Sequence, residues 1–343
     1  MKRKFNILIV STVIIGVVLS LVGMALVSQA APVEKQQGPN REVPKPIPAS
    51  NIEVVKKVFS EDVAREKGKP SPPPKTGGAA TGVLGEPLAD GANKYAVVIG
   101  ICDYPGEDYD ICWSDGDSVN MYNALVNYGY TSDNIYLLRD TTPDHPEITD
   151  GAATFSNIED AVLNRIKPKV KSGDEIVFFF SGHGGRTTDT SGDEADGKDE
   201  VLIVHNGSEI VGILDDTLAN WFSDFVTTRI AFVFDTCLAG GQNDVAANGR
   251  VIAMATGENQ SAYVYSKGDP TTGELGEGVF SHYFVNEGML QGKANTHDYT
   301  EVEGDEPATV EEAFDYAKAN IPPYLKVRQK PVISDNFVDD LLL

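Results

Sequence analysis

Two residues of this chain are placed to do chemistry, a histidine set among glycines and a cysteine set before them. Each follows a saturated apolar run. Ile176 to Phe180 leads into Ser181-Gly182-His183-Gly184-Gly185, and Arg229 to Asp235 leads into Thr236-Cys237-Leu238-Ala239-Gly240-Gly241. Apolar runs without alternation suit parallel strands buried on both faces. Open α/β sheets put their chemistry at the carboxyl ends of such strands. If the two strands are neighbours, the imidazole and the thiol meet at one sheet edge. A thiolate, a base to take its proton and nearby backbone N–H groups to hold an oxyanion make up nucleophilic acyl-transfer machinery. A structural cysteine is usually buried and inert. The glycines after Cys237 argue against that role, because they leave the sulfur poorly covered.

The elements needed to hold this pair can be read from the same pattern. Tyr95 to Ile101, Asn134 to Leu138, Ile176 to Phe180, Arg229 to Phe234 and Val251 to Thr256 read as strands. Asp117 to Tyr128, Ser156 to Lys167, Asp215 to Val226, Gly278 to Glu287 and Val310 to Asn320 read as helices, and Val332-Ile333 as an edge strand. Ser156, with Glu159 three residues on, is the expected cap of the second helix. This alternation predicts an α/β fold with a mainly parallel sheet and helices on both faces.

The whole chain narrows the function classes. It has 343 residues, 28 Lys+Arg against 51 Asp+Glu, and a net charge of -23. That balance argues against nucleic acid or an anionic membrane surface as a partner and favours cationic ones. Three cysteines without a CxxC and five scattered histidines give no zinc spacing. An odd cysteine count leaves at least one free thiol.

The first ninety or so residues read differently from the rest. Residues 1–30 carry Lys2-Arg3-Lys4, an apolar run from Ile7 to Val27, and Ser28-Gln29-Ala30. That is the layout of a signal peptide cleaved near Ala30. An uncleaved membrane tether through residues 5–27 is the second reading, the run being long. Either way the remainder is expected outside the cytoplasm, secreted or at the cell surface. Residues 31–93 form a Pro-rich pro-region or linker, with stretches expected to be extended and unpacked. Within it, Ile52, Val55, Phe59 and Val63 fall at helical spacing, predicting an amphipathic patch from Asn51 to Lys67 that could dock or inhibit. Residues 94–343 are long enough for one catalytic domain.

Taken together, YAVVIGI from Tyr95, ICWSD ending at Asp115, SGHGG around His183, SGDEADGKDE from Ser191, FDTC ending at Cys237 and GVFSHYF from Gly278 resemble the metacaspases of the caspase-like superfamily. The His-to-Cys separation of about 50 residues is also that of caspases. The resemblance implies a caspase-like three-layer α/β/α sandwich and a cysteine endopeptidase in which His183 is the base and Cys237 the nucleophile. Backbone N–H groups of Gly184 and Cys237 would form the oxyanion hole. Asp115 and Asp235, with Cys112 and Ser181 beside them, would line a pocket for Arg or Lys before the cut. Two carboxylates in one pocket suit a guanidinium on physical grounds as well. The sequence departs from the family pattern after the cysteine, where Leu238-Ala239-Gly240 replaces the usual His-Ser-Gly. That leaves subsite shape and leaving-group contacts in question.

A second, acidic constellation holds Asp189, Asp193, Glu194, Asp196, Asp199 and Glu200. Crowded hard oxygens suit Ca²⁺, but the spacing fails the EF-hand pattern. The resemblance instead implies Asp199, Asp215, Asp216 and Asp244 as calcium ligands. It also implies protein or peptide substrates, a monomer, and self-processing of a zymogen. Two other readings compete: a catalytically inactive caspase-fold calcium-binding surface module, and a legumain-like Asn-specific peptidase. The intact His183 and Cys237 speak against the first, and Asp115 and Asp235 against the second.

Overall fold

A computed structural model describes residues 45–59, 78–111, 113–139, 149–192, 194–269, 274–297, 299 and 307–343. The first described segment contributes strands β1 (Ile47–Pro48), β2 (Glu53–Val55) and β3 (Val58–Phe59). Then come β4 (Lys94–Gly100), α1 (Trp113–Asn127), β5 (Ile135–Arg139), α2 (Phe155–Asp160), β6 (Glu175–Ser181) and β7 (Gly184–Thr188). β8 (Lys198–His205), β9 (Ile210–Leu214), α3 (Asp215–Phe222), β10 (Arg229–Asp235) and β11 (Arg250–Met254) follow. The chain closes with β12 (Tyr263–Asp269), β13 (Glu274–Gly278), α4 (Val279–Ser281, continuing as a π-helical segment His282–Leu290), α5 (Val310–Asn320) and β14 (Val332–Asp335).

The central sheet has six strands in the order β14-β11-β10-β6-β4-β5. Every pair is parallel except β11 with β14. Its residues alternate between two cores. Val98, Phe179 and Val233 face one side, with Leu125 of α1, Phe284 and Phe314. Val97, Phe178 and Phe232 face the other, with Ile158 and Trp221. This is the expected three-layer α/β/α arrangement, and it explains the saturated runs. Phe178, Phe179 and Phe180 are all fully buried, and truncating one such ring to Ala costs about 3–5 kcal/mol.

Register places the chemistry. Ser181 is paired with Gly100 on one side and Asp235 on the other. The carboxyl ends of β4, β6 and β10 are therefore level, and His183 and Cys237 each lie two residues beyond that line.

Several local expectations are corrected. α1 begins at Trp113, ahead of Asp117. Thr154, not Ser156, caps α2, its side chain accepting from Asn157 N. α5 does match Val310 to Asn320, and it starts with a capping box between Thr309 and Glu312. The antiparallel sheet β1-β9-β8-β7-β2 and the small sheet β13-β12-β3 had no counterpart in the sequence reading.

The largest difference lies in the pro-region. Residues 44–343 form one compact unit, so the described parts of the supposed linker pack on the domain. Beyond a single 3-10 turn that ends at Asn51, the stretch from Ile52 to Phe59 is not helical. Its β-branched Val54, Val55 and Val58 suit strands, and they add to two sheet edges as β2 and β3. Residues 60–67 of the predicted helix, and residues 1–30 with the expected signal or tether, lie outside the described residues. No described helix is long and apolar enough to cross a membrane.

Candidate active site

His183 sits in the tight connection between β6 and β7, and three contacts set its ring. Nε2–H donates to the Tyr109 carbonyl at 3.0 Å. Nδ1 is left as an acceptor, and it receives the N–H of Lys57 at 3.1 Å. Tyr104 stacks on the ring with centroids 5.2 Å apart. The Tyr104 hydroxyl accepts from His183 N and donates to the Ile203 carbonyl, both at 3.0 Å. This fixes a neutral imidazole with one lone pair facing the cleft. Burial pushes its pKa down to about 3, with the nearby Lys57 and Lys56 charges acting the same way.

Cys237 follows β10 in the adjoining loop and is the free cysteine among the described residues. Cys102, in the segment that carries Tyr104 and Tyr109, is disulfide-bonded. The His183 and Cys237 loops touch at Gly184, where a Cβ would collide with the Cys237 carbonyl oxygen. Only glycine permits that approach. It brings together the two residues expected to donate to an oxyanion. Leu238 adopts φ 59°, a left-handed conformation costing about 1–2 kcal/mol for such a residue. It is held by Leu238 N to Gln260 O at 2.8 Å and Ala239 N to Thr256 Oγ1 at 3.0 Å. The thiol is 1% exposed, accepts from Ala262 N at 3.2 Å, and is pushed up to about 11 by burial. Val55 of β2 packs against the small cluster formed by Cys237, Leu238 and Ala262.

Beneath the mouth of this cleft lies an acidic pocket, and the ammonium of Lys57 is inside it. Lys57 Nζ lies 2.9 Å from Asp235 Oδ1 and 3.9 Å from Asp117 Oδ2, and it donates to Ser181 Oγ at 3.0 Å. Ser181 Oγ–H in turn donates to Asp117 Oδ2 at 2.6 Å. Gly278 N donates to Asp117 Oδ1 at 2.9 Å. Ser281 N and Oγ donate to Asp235 Oδ2 at 3.0 and 2.7 Å. Burial raises Asp117 to about 8 against the opposing pull of Lys57.

Ser181 and Asp235 are thus where the sequence put them, but Asp115 is not. It is buried in a bidentate ion pair with Arg139, and Asp117 supplies the second pocket carboxylate. The reason is helical geometry: with α1 starting at Trp113, Asp115 and Asp117 point in different directions. Cys112 lies outside the described residues. Tyr104, Tyr109 and Lys57 were missed as site residues. Nothing in the spacing of the tyrosines signals a role, and Lys57 was one of several basic residues in the pro-region.

The acidic residues converge only in part on the expected set. Glu194, Glu200 and Asp215 bring their carboxylate oxygens within 4.8 Å of one another. Burial raises Glu200 and Asp215 to about 8 each. Asp199 and Asp244 add repulsion at Asp215. Asp216 donates its N–H to Asp215 Oδ1 at 2.8 Å. Glu200 Oε2 is buried without a hydrogen-bond partner. Its carboxylate lies against Gly241, four residues past Cys237, where a Cβ would meet it. Such unneutralised hard oxygens fit a divalent cation like Ca²⁺. Glu194 and Glu200 join Asp215 there, beyond the expected quartet.

The family model described as "Metacaspase, peptidase C14 domain" matches residues 94–246. A metacaspase-1 of Kluyveromyces lactis is 34% identical over 43% of this chain and 33% of its own length. A metacaspase-1 of Candida albicans is 31% identical over 60% of this chain and 48% of its own. Metacaspase-7 of Arabidopsis thaliana is 32% identical over 50% of this chain and 41% of its own. The chain therefore spans a third to a half of the curated relatives it matches. The matched region holds β4, β6, β10, His183, Cys237 and three of the pocket residues, so the stretch that builds this site, residues 94–246, is similar to the metacaspase peptidase domain.

Proposed function

We propose that the protein is an exported, calcium-dependent cysteine endopeptidase that cuts after Arg or Lys and processes its own pro-region. One observation carries the specificity: a lysine ammonium is received by Asp235, Ser181 and Asp117 directly below His183. A pocket of this charge accepts a guanidinium equally well and disfavours an Asp side chain through like-charge repulsion.

In the reaction, Cys237 loses its proton to Nδ1 of His183. The thiolate attacks the carbonyl carbon of the bound Arg or Lys. N–H groups of Gly184 and Cys237 hold the oxyanion. The C–N bond breaks, the leaving amine takes the proton back from His183, and a thioester remains on Cys237. Water, activated by His183, then releases the acid. The Tyr109 carbonyl keeps the proton-accepting nitrogen facing the cleft throughout.

Calcium dependence rests on the acidic cluster. Glu194, Glu200 and Asp215, with Asp199, Asp216 and Asp244 near them, would hold the ion. Bound there, it supplies positive charge that removes repulsion beside the loop after Cys237. Export rests on the layout of residues 1–30. The test is hydrolysis of Arg-, Lys-, Asp- and Asn-terminated fluorogenic peptides with calcium and with EGTA. Cleavage of the basic peptides alone, and only with calcium, is expected. Preference for Asn or Asp, or no turnover of any peptide, would sink the reading.

A further inference from the structure

A cut after Lys57 would break the bond between its carbonyl carbon and Val58 N. The leaving amine, Val58 N, would have to receive its proton from His183. In the structure Val58 N–H donates instead to the Ala262 carbonyl at 3.0 Å. His183 Nδ1 is bonded to Lys57 N, on the acyl side of that bond. The neighbouring peptide fares no better. A cut between Lys56 and Lys57 would have its leaving nitrogen at His183, but the side chain before the cut would be that of Lys56. Its Nζ lies 4.1 Å over the Tyr109 ring and donates to the Asp108 carbonyl at 2.5 Å, outside the acidic pocket. Neither bond places a basic side chain in the pocket and its own leaving nitrogen at the base.

The flanks hold this arrangement. β2 pairs antiparallel with β7, Glu53 opposite Arg186, and the two side chains form a bidentate pair at 2.9 and 3.1 Å. Thr187 Oγ1 donates to the Asn51 carbonyl at 2.7 Å. Ile52 fills the space left by Gly185 and Gly212, where a Cβ would meet it. β3 pairs parallel with β12 through Tyr263 and Val264. The segment is fastened by main-chain bonds on both sides of Lys57, as in strand addition.

We infer that residues 45–59 are a built-in competitive inhibitor that fills the basic-residue pocket with Lys57 in a backbone direction the site cannot cut. The pocket assignment rests on the peptidase reading; the seating and direction do not. Turning the enzyme on requires withdrawal of the segment, not scission at Lys57. A cut elsewhere in the pro-region acts by converting a tethered inhibitor, at roughly millimolar effective concentration, into one lost on dilution.

The test uses the full chain as wild type, Lys57→Ala and Lys57→Met, the second keeping the stem that fills the channel. Cys237 alkylation by iodoacetamide is the readout that does not depend on turnover. Lys57→Ala is expected to be alkylated roughly tenfold faster or more, with Lys57→Met intermediate. A synthetic peptide of residues 45–59 should slow alkylation of Lys57→Ala again and be recovered intact by mass spectrometry. Equal alkylation of wild type and both variants overturns the inference, and so does a peptide recovered cut after Lys57. If alkylation differs as expected while no variant hydrolyses an Arg or Lys peptide, the seating of the segment over Cys237 stands and the peptidase reading fails.

Discussion

Asp235 and Ser181 face each other as the last paired residues of β10 and β6, and the same ammonium touches both. The parallel register thus builds the acidic pocket and sets the His183 and Cys237 loops side by side. The side chain that enters there, Lys57, reaches Asp235 and Ser181 with its ammonium while its backbone N–H is bonded to His183 Nδ1.

Removing the carboxylate should separate selectivity from reactivity. In an enzyme freed of its pro-segment, Asp235→Ala is expected to lose about 2–5 kcal/mol of transition-state binding for Arg peptides. Alkylation of Cys237 by a small reagent should change little. Matching losses in both assays would mean that Asp235 supports the loop after Cys237 and does not select substrate. Asp115→Asn makes the contrast, since its loss should lower the melting temperature through Arg139 and leave the Arg-over-Asn preference intact.

Tyr104 should act through His183. Its hydroxyl links His183 N to the Ile203 carbonyl, so Tyr104→Phe leaves both partners short of a bond. A stability loss of about 1–3 kcal/mol is expected. A looser imidazole should lower kcat with KM nearly unchanged. A KM effect alone in steady-state kinetics would place Tyr104 in substrate binding.

What could be read from the sequence was what depends on runs and turns. The saturated strands, the glycines about His183 and the position of Cys237 follow from local chemistry, and the structure brings them together. Asp115 was misread because the resemblance at ICWSD pointed to it, whereas α1 starts at Trp113, four residues ahead of the expected Asp117, and leaves Asp117 facing the pocket. The segment from Asn51 to Phe59 was misread because apolar residues at three- and four-residue spacing also fit short strands broken by a turn. Its conformation is set by the edges of β7 and β12, which are distant in sequence. Glu194 and Glu200 could not be singled out from six neighbouring acids without knowing that β8 carries Glu200 toward Gly241.

Acid should weaken the precursor through His183. The folded value is depressed from 6.5 to about 3, so between those limits the unfolded chain binds a proton that the native chain does not. Stability therefore rises with pH across that window, by up to several kcal/mol in all. Other buried acids titrate too, so the measurement is the difference in urea unfolding between wild type and His183→Gln at pH 4, 5, 6 and 7. Wild type should lose its margin over the variant as pH falls. A constant difference would mean that His183 is not desolvated in the precursor.

Calcium should act with a midpoint of roughly 10⁻⁴–10⁻³ M, the range of extracellular modules. Glu200→Gln removes a charge from the cluster beside Gly241 and should raise that midpoint about tenfold, read by calorimetry as well as by activity. Full activity of wild type in EGTA would refute the dependence.

Self-processing should fall outside the seated segment. The pro-region carries basic residues on and after it, among them Lys56, Lys57, Arg65, Lys67, Lys69 and Lys75. Lys57 is held with its leaving nitrogen turned away from His183, and Lys56 is held outside the pocket. Arg65, Lys67, Lys69 and Lys75 lie outside the described residues, in a stretch that also holds Pro72-Pro73-Pro74. Once calcium is added, wild type is expected to yield a new N-terminus after one of these four. Cys237→Ala should stay intact under the same conditions, because a nucleophilic mechanism without its nucleophile loses on the order of 10⁴-fold or more. Mixing that variant with active Lys57→Ala distinguishes the routes. Cutting of Cys237→Ala in the mixture, scaling with enzyme concentration, means processing in trans, while wild-type conversion independent of dilution means processing within one chain. N-terminal sequencing reads both. A first residue of Val58 in the wild-type product would show that the seated lysine is a substrate after all.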